Sequence, residues 1–245
     1  MKLVPFGRVA AEYTRSRPGY PSELTRWALG TKPLTVIDIG AGSGQMTRGL
    51  LANGHGVMAI EPSAEFVTHL RLRLPDAVAV RAVAEALPLR SGAVDAVVVA
   101  QALHLMDCDR ALPEFARVLR PGGALVVAWN TVDTTVPWAR RLFELIGADP
   151  GYAEAPLEAV RNHDFFGPVA ERQVRHWHEV TRSGLRDFVA SIGLLLRRSQ
   201  EERDELLGHV ERFFDITTNG KTLQLPLVGV ALRAYAAALA DYHRS

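Results

Sequence analysis

Apolar and polar positions alternate along the first half of the chain in a way that separates strands from helices. Short β-branched runs, such as 34–39 and 94–100, are typical of strands buried on both faces of a sheet. After the first run, apolar residues recur at helical spacing until Asn53-Gly54, a typical helix stop. Strands that alternate with helices favour a parallel sheet with helices on both of its faces.

This alternation continues as far as residue 130 and then becomes looser. The predicted strands are 34–39, 56–61, 77–82, 94–100, 124–129, 173–180 and 223–230. The predicted helices are 46–51, 64–74, 110–119, 137–146, 154–161, 183–197 and 200–214. Because proline cannot donate to a strand ladder, Pro226 predicts that the last strand lies at an edge or carries a bulge.

No internal repeat or low-complexity linker divides the chain, so we expect one domain over residues 1–245. Its predicted parts are an N-terminal arm (1–32), a core of alternating elements (33–130) and a remainder (131–245). In the remainder, the helices 183–197 and 200–214 form an inserted pair.

Composition excludes several classes of protein. The 28 basic and 27 acidic residues leave a net charge of +1, which gives no electrostatic footprint for a polyphosphate. Cys108 is the single cysteine, so an internal disulfide framework and multi-cysteine metal sites are excluded. Histidine-only metal binding stays open, but His176 and His178 fit a solvent-facing strand surface better than a metal pair, and we expect no metal site.

The chain shows no targeting or membrane-spanning pattern. Pro5 and Arg8 interrupt what would have to be the apolar core of a signal peptide. The apolar runs are all shorter than the roughly 20 residues that span a bilayer. We therefore expect a cytoplasmic protein without a membrane partner.

A glycine cluster follows the first predicted strand. Gly40, Gly42 and Gly44 come after Asp38 in the order Asp-x-Gly-x-Gly-x-Gly, where the strand turns into a helix. Glycines there let the backbone approach a ligand and adopt positive φ. Glu61 ends the second predicted strand, so its carboxylate is expected to reach the same crevice and bind a ribose diol.

The spacing of the cluster disfavours a dinucleotide. A Gly-x-Gly-x-x-Gly fingerprint needs glycine where Gln45 or Thr47 stands, so an NAD-dependent oxidoreductase is a weaker hypothesis. Asp38 would repel a pyrophosphate but can pair with the ammonium group of an amino acid, directly or through water. The expected ligand is a nucleoside that carries a zwitterion.

At these residues the sequence resembles the Rossmann-like S-adenosylmethionine-dependent methyltransferases. Segments 84–89, 92–104 and 117–129 are similar to later segments of that family, in the same order. The resemblance implies an α/β fold: a doubly wound, mostly parallel seven-stranded sheet with an N-terminal helical arm and a helical lid insertion. The implied cofactor is S-adenosyl-L-methionine, with S-adenosyl-L-homocysteine as the product. The resemblance also implies which residues contact the cofactor: Asp38, Gly40, Ala41, Gly42, Gly44, Glu61, Pro62, Ala84, Glu85, Gln101 and Ala102.

The N-terminal arm narrows the resemblance. Phe6, the run 10–13 and the run Arg17-Pro18-Gly19-Tyr20-Pro21 are similar to the arm of a small-molecule group that includes trans-aconitate methyltransferase-like enzymes. In that group the arm folds over the cofactor. Tyr13 and Tyr20 would then approach its methionine end, and Arg17 its carboxylate or the substrate.

The function expected from these features is methyl transfer to an oxygen, nitrogen or carbon of a small, partly hydrophobic acceptor. His104 follows the fourth strand on the ligand side of the sheet, where it is either a catalytic base or a packing residue. Candidate acceptor contacts are Trp129, Trp138, Phe188 and Leu195. The alternatives are a nucleic-acid methyltransferase, an NAD-dependent oxidoreductase and a non-catalytic binder of the cofactor. We expect a monomer or homodimer without a nucleic-acid partner.

Overall fold

The computed structural model describes residues 17–148, 155–192, 195 and 198–237. Its strands are β1 (Thr35–Ile39), β2 (Gly56–Ile60), β3 (Val78–Val80), β4 (Val94–Ala100), β5 (Leu119–Val132), β6 (Ala170–Thr181) and β7 (Thr222–Tyr235). They form one seven-stranded sheet in the order β3-β2-β1-β4-β5-β7-β6.

The sheet is parallel from β3 to β5 and antiparallel around β7. Strand β1 pairs in parallel with β2 on one side and with β4 on the other. Strand β7 runs antiparallel to both of its neighbours, β5 and β6. This topology confirms the predicted mixed seven-stranded sheet. It also places a topological switch point beside β1, where open α/β sheets bind their ligands.

In the described part of the chain, eight helices flank the sheet, and all but one have eight residues or more. They are α1 (Ser22–Leu29), α2 (Gln45–Ala52), α3 (Ala64–Arg73), α4 (Cys108–Val118), α5 (Pro137–Ile146), α6 (Ala155–Arg161), α7 (Arg182–Ala190) and α8 (Gln200–Thr217). A 3₁₀ turn, Leu103–Leu105, follows β4.

Both faces of the parallel strands are covered. On one face, α1 and α2 pack against alternate strand residues such as Val36 and Val98. On the other face, Phe115 of α4 belongs to a cluster with Ile37 and Val97. The alternation of side chains along each strand explains why both faces are apolar, as the sequence pattern indicated.

A separate apolar cluster joins α5, α7 and α8 to the ends of the last strands. Leu142, Leu185 and Val210 are fully buried in it, next to Val132 and Leu225. Helix α8 begins with a capping box between Ser199 and Glu202. The two helices α7 and α8 lie between β6 and β7 in the chain, which confirms the predicted helical pair, although α7 ends at Ala190 rather than at 197.

The position predicted for the last strand is wrong. Strand β7 lies inside the sheet, between β5 and β6, and its pairing carries no bulge. Pro226 is tolerated because the pairing of β5 with β7 ends one residue earlier, at Val132 and Leu227. The carbonyl of Pro226 accepts a hydrogen bond from Asp133 N at 3.0 Å, so its acceptor is satisfied just beyond the last paired position, where the ladder no longer needs a donor from residue 226.

Within the described ranges, no helix is both long enough and apolar enough to cross a bilayer.

Candidate functional site

The turn after β1 brings its backbone close to the neighbouring strand ends. Gly40 N and Ala41 N donate to the carbonyl of Ile60 at 2.8 and 3.2 Å. Gly40 has a φ of 69°, and a Cβ built there would lie 2.6 Å from Cβ of Ala102. Glycine is therefore required at Gly40, and the loop leaves exposed backbone at the carboxyl end of β1.

Asp38 is a fully buried carboxyl directly before this loop. Its Oδ2 accepts a hydrogen bond from Thr47 Oγ1 at 2.6 Å, whereas the buried Oδ1 has no hydrogen-bond partner in the described part of the chain. Burial raises the pKa of Asp38 to about 6, the Thr47 bonds oppose that rise, and the charge of Glu61 adds to it. A buried acceptor of this kind suits a cationic donor such as an ammonium group.

Glu61 connects the loops that follow β1 and β2. Its Oε2 accepts from Gly42 N and its Oε1 from Ser63 N, each at 2.9 Å. Burial raises the pKa of Glu61, and these two backbone hydrogen bonds lower it. The carboxylate is thus fixed beside the glycine loop, where its remaining lone pairs can accept from a ribose diol.

The segment after β4 contributes Gln101, Ala102 and His104. Gln101 is the one non-glycine residue with positive φ in the described chain, at 52°, and its backbone N donates to Ala128 O at 2.8 Å. His104 lies in the 3₁₀ turn, where burial and the charge of Arg17 lower the pKa of its imidazole. A neutral His104 at physiological pH is able to accept a proton.

Arg17 links the arm to both sides of the crevice. Its Nη1 donates to Gln101 Oε1 at 3.3 Å, and its Nη2 donates to the carbonyl of Ser191 at 2.7 Å, just after α7. The guanidinium also lies 5.8 Å from the ring centroid of Phe188. Arg17 is therefore placed near His104 and the helical pair. Its expected contact with the carboxylate of the cofactor or with the substrate stays a prediction.

Of the two arm tyrosines expected near the cofactor, the structure describes only Tyr20. Tyr20 is half-buried and packs against the apolar cluster of α1 and α2, so the structure gives it a packing role. Tyr13 lies outside the described residues. The proposed approach of both residues to the methionine end of a cofactor stays a prediction.

The contacts expected from Pro62, Ala84 and Glu85 also stay predictions. Ala84 is buried, and the Pro62 carbonyl accepts from Arg81 Nε at 3.1 Å. Glu85 Oε1 accepts from Asp107 N at 3.1 Å, immediately before α4 begins. Glu85 thus supports the start of a helix in this structure.

Sequence reasoning missed a hydrogen-bonded group around Asn130. Gln101 Nε2 donates to the Asn130 carbonyl at 2.7 Å, and Asn130 Nδ2 donates to the Gly19 carbonyl at 3.1 Å. Asn130 Oδ1 lies 3.1 Å from Nε2 of His176, which must donate there because Oδ1 carries no proton. His176 is half-buried, so its predicted solvent-facing position is wrong. These partners come from separate strands, so local spacing carries no signal for them.

Neither a reactive thiol nor a metal-binding cluster is found among the described residues. Burial raises the pKa of the Cys108 thiol, and the charges of Asp109, Asp107 and Glu85 raise it further. The described residues include no group of three or more His, Cys, Asp or Glu that could hold a metal ion.

Comparison with known proteins agrees with this geometry. A family profile described as a methyltransferase domain matches residues 37–127. An uncharacterized methyltransferase of Mycobacterium tuberculosis strain H37Rv is 39% identical over 232 residues, which are 94% of each chain. A demethylmenaquinone methyltransferase of Beutenbergia cavernae is 37% identical over 114 residues, 46% of each chain. A solved putative type II methyltransferase from Anaeromyxobacter dehalogenans has a TM-score of 0.68 and 21% identity, covering 90% of this chain and 97% of that one.

The fold and the arrangement of Asp38, Gly40 and Glu61 define a Rossmann-like nucleoside-binding protein. The similarity over nearly the whole chain assigns the reaction: the protein belongs to the S-adenosylmethionine-dependent methyltransferases. The buried acceptor at Asp38 and the close-packed turn at Gly40 fit that cofactor.

Proposed function

We propose that this methyltransferase acts on a small-molecule acceptor. The observation that carries the proposal is the crevice itself: Arg17 of the arm, Gln101 after β4 and Ser191 after α7 are joined by hydrogen bonds across it. An acceptor that reaches His104 must fit between these segments. A site bridged by these segments suits a small molecule better than a folded nucleic acid.

The cofactor contacts follow from the strand ends. Asp38 would hold the ammonium group, and Glu61 would accept hydrogen bonds from the ribose hydroxyls. Gly40 and Gly42 would let the backbone lie against the bound molecule, since neither has a side chain to exclude it. When bound, S-adenosylmethionine supplies an electrophilic methyl group on a sulfonium.

His104 is the residue we assign to proton transfer. Burial and Arg17 keep the imidazole neutral, so it can take a proton from a hydroxyl or amine acceptor as the nucleophile attacks. For a carboxylate acceptor no proton needs to be removed, and His104 would then only position the substrate. Alignment of the acceptor within the crevice supplies the larger part of the rate enhancement, on the order of 7–11 kcal/mol.

Charge and similarity also support a small acceptor. The net charge of +1 provides little electrostatic attraction for a polyanion. The relative from Beutenbergia cavernae, which matches about half of this chain, is named a demethylmenaquinone methyltransferase, and so for an acceptor that is neither nucleic acid nor protein. Phe188 of α7, whose ring centroid lies 5.8 Å from the Arg17 guanidinium, places an apolar side chain beside the site and favours an acceptor with a hydrophobic portion.

The test is transfer of a labelled methyl group from S-adenosylmethionine to fractionated cell extracts. We expect label in the small-molecule fraction and none in RNA, DNA or protein. Label confined to RNA would overturn the proposed acceptor class. Calorimetric titration with S-adenosylmethionine and S-adenosylhomocysteine, run beside it, shows whether the protein is competent to bind the cofactor.

Once an acceptor is identified, His104→Ala tests the assigned base. For a hydroxyl or amine acceptor we expect turnover to fall by roughly 10²–10⁴-fold, with little change in cofactor affinity. His209→Ala, a half-buried histidine on α8, is the matched control and should retain turnover. Equal turnover of the two variants would remove His104 from the chemistry.

A further inference from the structure

Strand β6 forms one edge of the sheet and is the feature from which this inference starts. Its 12 residues pair with β7 without interruption, from Ala170 opposite Arg233 to Thr181 opposite Thr222. Among the described residues, β6 has a strand partner only on its β7 side. The other side therefore presents a row of backbone donors and acceptors that another strand can pair with.

The opposite edge of the sheet is different. Strand β3 is only 3 residues long, and a short edge strand is a common protection against pairing with another chain. Strand β6 is long, unbulged and free of proline, glycine and lysine. Its outer face exposes Trp177, whose side chain is 60% accessible. A long edge strand of this kind is a ready template on which the strand of another chain can pair.

We propose that β6 pairs antiparallel with β6 of a second copy of this chain, in a register centred on Trp177. A twofold axis through Trp177 places this residue beside its copy. The same register sets Arg175 opposite Glu179 of the copy on both sides of the axis, and Val174 opposite Val180. The two sheets then become one continuous sheet through both chains.

The charges of the strand support a second copy as the partner. Arg175 and Glu179 have the same parity as Trp177, so all three lie on one face of the strand. The Arg175 side chain is 72% exposed and donates from Nε to Asp133 Oδ2 at 3.1 Å. Its guanidinium has further donors for Glu179 of the copy.

Two other registers serve for comparison. A register centred on Gln173 also sets opposite charges together, Glu171 facing Arg175 of the copy, but it separates the two Trp177 side chains. A register centred on Arg175 would place two Arg175 side chains together and set Glu171 opposite Glu179. Like charges directly opposite each other destabilise a strand pair, whereas opposite charges and aromatic pairs stabilise it. Among these registers, the Trp177-centred one combines opposite-charge pairs with the self-pairing of Trp177.

A cysteine placed at the axis tests this register directly. In a Cys108→Ala background, Trp177→Cys is oxidised and examined on a non-reducing gel. Residues directly opposite in an antiparallel pair have Cα atoms about 4.5–5.5 Å apart, which suits a disulfide. We expect a covalent dimer. The control, Gln173→Cys, lies on the same exposed face but is about 25 Å from its own copy, so it should not cross-link and should run as a monomer on the non-reducing gel.

Charge reversal tests the same register without removing the tryptophan. Glu179→Arg places two arginines together on each side of the axis and should weaken the dimer by about tenfold in analytical ultracentrifugation. Arg175→Glu should do the same. The double variant R175E/E179R restores both opposite-charge pairs and should recover dimerisation. Gln173→Arg, which faces Thr181 of the copy, is the matched control and should leave the dimer intact.

Three results would overturn the proposal: a full-length chain that stays monomeric at high micromolar concentration, cross-linking at Gln173→Cys instead of Trp177→Cys, or a double variant no more dimeric than the single ones. Thermal melts and cofactor titration of each variant distinguish loss of the interface from loss of the fold. None of these readouts depends on the identity of the acceptor.

Discussion

At the scale of single residues, Asp38 is the clearest case of function opposing stability. Its carboxyl is buried, and ionisation above pH 6 takes place in surroundings that raise its pKa from 3.8 to about 6. Because the folded-state pKa is raised, the contribution of Asp38 to the free energy of unfolding is most favourable below pH 3.8. This contribution is lost as the pH rises through 6. On the function proposed above, the carboxylate serves to bind the ammonium group of the cofactor.

Replacing Asp38 should therefore stabilise the free protein and damage its binding site. We expect Asp38→Asn to gain roughly 2–3 kcal/mol of folding stability at pH 8 and little at pH 4, since only the ionised carboxyl is penalised. Its affinity for S-adenosylmethionine should fall at least tenfold. Thermal melts over a pH series and calorimetry measure both. A melting temperature that follows the wild type at every pH would contradict this account.

At the scale of elements, the turn between β1 and α2 depends on the segment after β4. A Cβ on Gly40 would overlap Cβ of Ala102 at 2.6 Å, and Gly40 also has positive φ. This turn is therefore fixed by a long-range contact as well as by its own backbone.

The variants Gly40→Ala and Gly54→Ala separate the two effects. Both positions have positive φ, but a Cβ at Gly54 has nothing within 4 Å. We expect each variant to lose about 1–2 kcal/mol from backbone strain. Gly40→Ala should lose about 1–3 kcal/mol more from overlap and bind the cofactor more weakly. Denaturant unfolding and calorimetry check this, and equal behaviour of the two variants would refute it.

The sequence predicts best those strands and helices whose pattern of apolar and turn residues is local. The strand 94–100 and the helix Pro137–Ile146 were predicted with their observed bounds, because apolar spacing and turn residues lie within each segment. The internal position of β7 in the sheet was not predicted. It depends on which strands lie on either side of β7, and on the pairing with β5 ending at Val132.

The same distinction applies to the site. Asp38, the glycine loop and Glu61 follow a spacing along the chain, and the structure brings them together. The Thr47 partner of Asp38 and the positive φ of Gln101 depend on three-dimensional packing. Asn130 and His176 meet only because β6 reaches the edge of the sheet beside β7.

At the scale of the whole molecule, Arg17 joins parts that are far apart in sequence. It contacts the end of β4 and the residue after α7, and its charge lowers the pKa of His104. The arm, the core and the helical pair thus share one charged group, so a change in the arm should alter chemistry at the crevice.

Arg17→Gln tests this connection through the pH dependence of turnover. If neutral His104 is the active form, activity is lost on acidification as the imidazole is protonated. Removing the Arg17 charge should raise the pKa of His104 toward its ordinary value and move the acid limb of kcat to higher pH. Arg172→Gln, at an exposed ion pair with Glu23, is the control. At saturating cofactor, an unmoved limb would show that Arg17 does not act on the base.

If Asp38 binds the ammonium group as proposed, its buried carboxyl also makes the proton a competitor of the cofactor. Near pH 6 about half of the free molecules carry a proton on Asp38, and a cationic ligand must displace it. Cofactor binding then releases protons in this range, and affinity declines as acidity increases below it. On this proposal, one side chain placed without a full set of partners would couple the methylation capacity of the enzyme to the acidity of its surroundings.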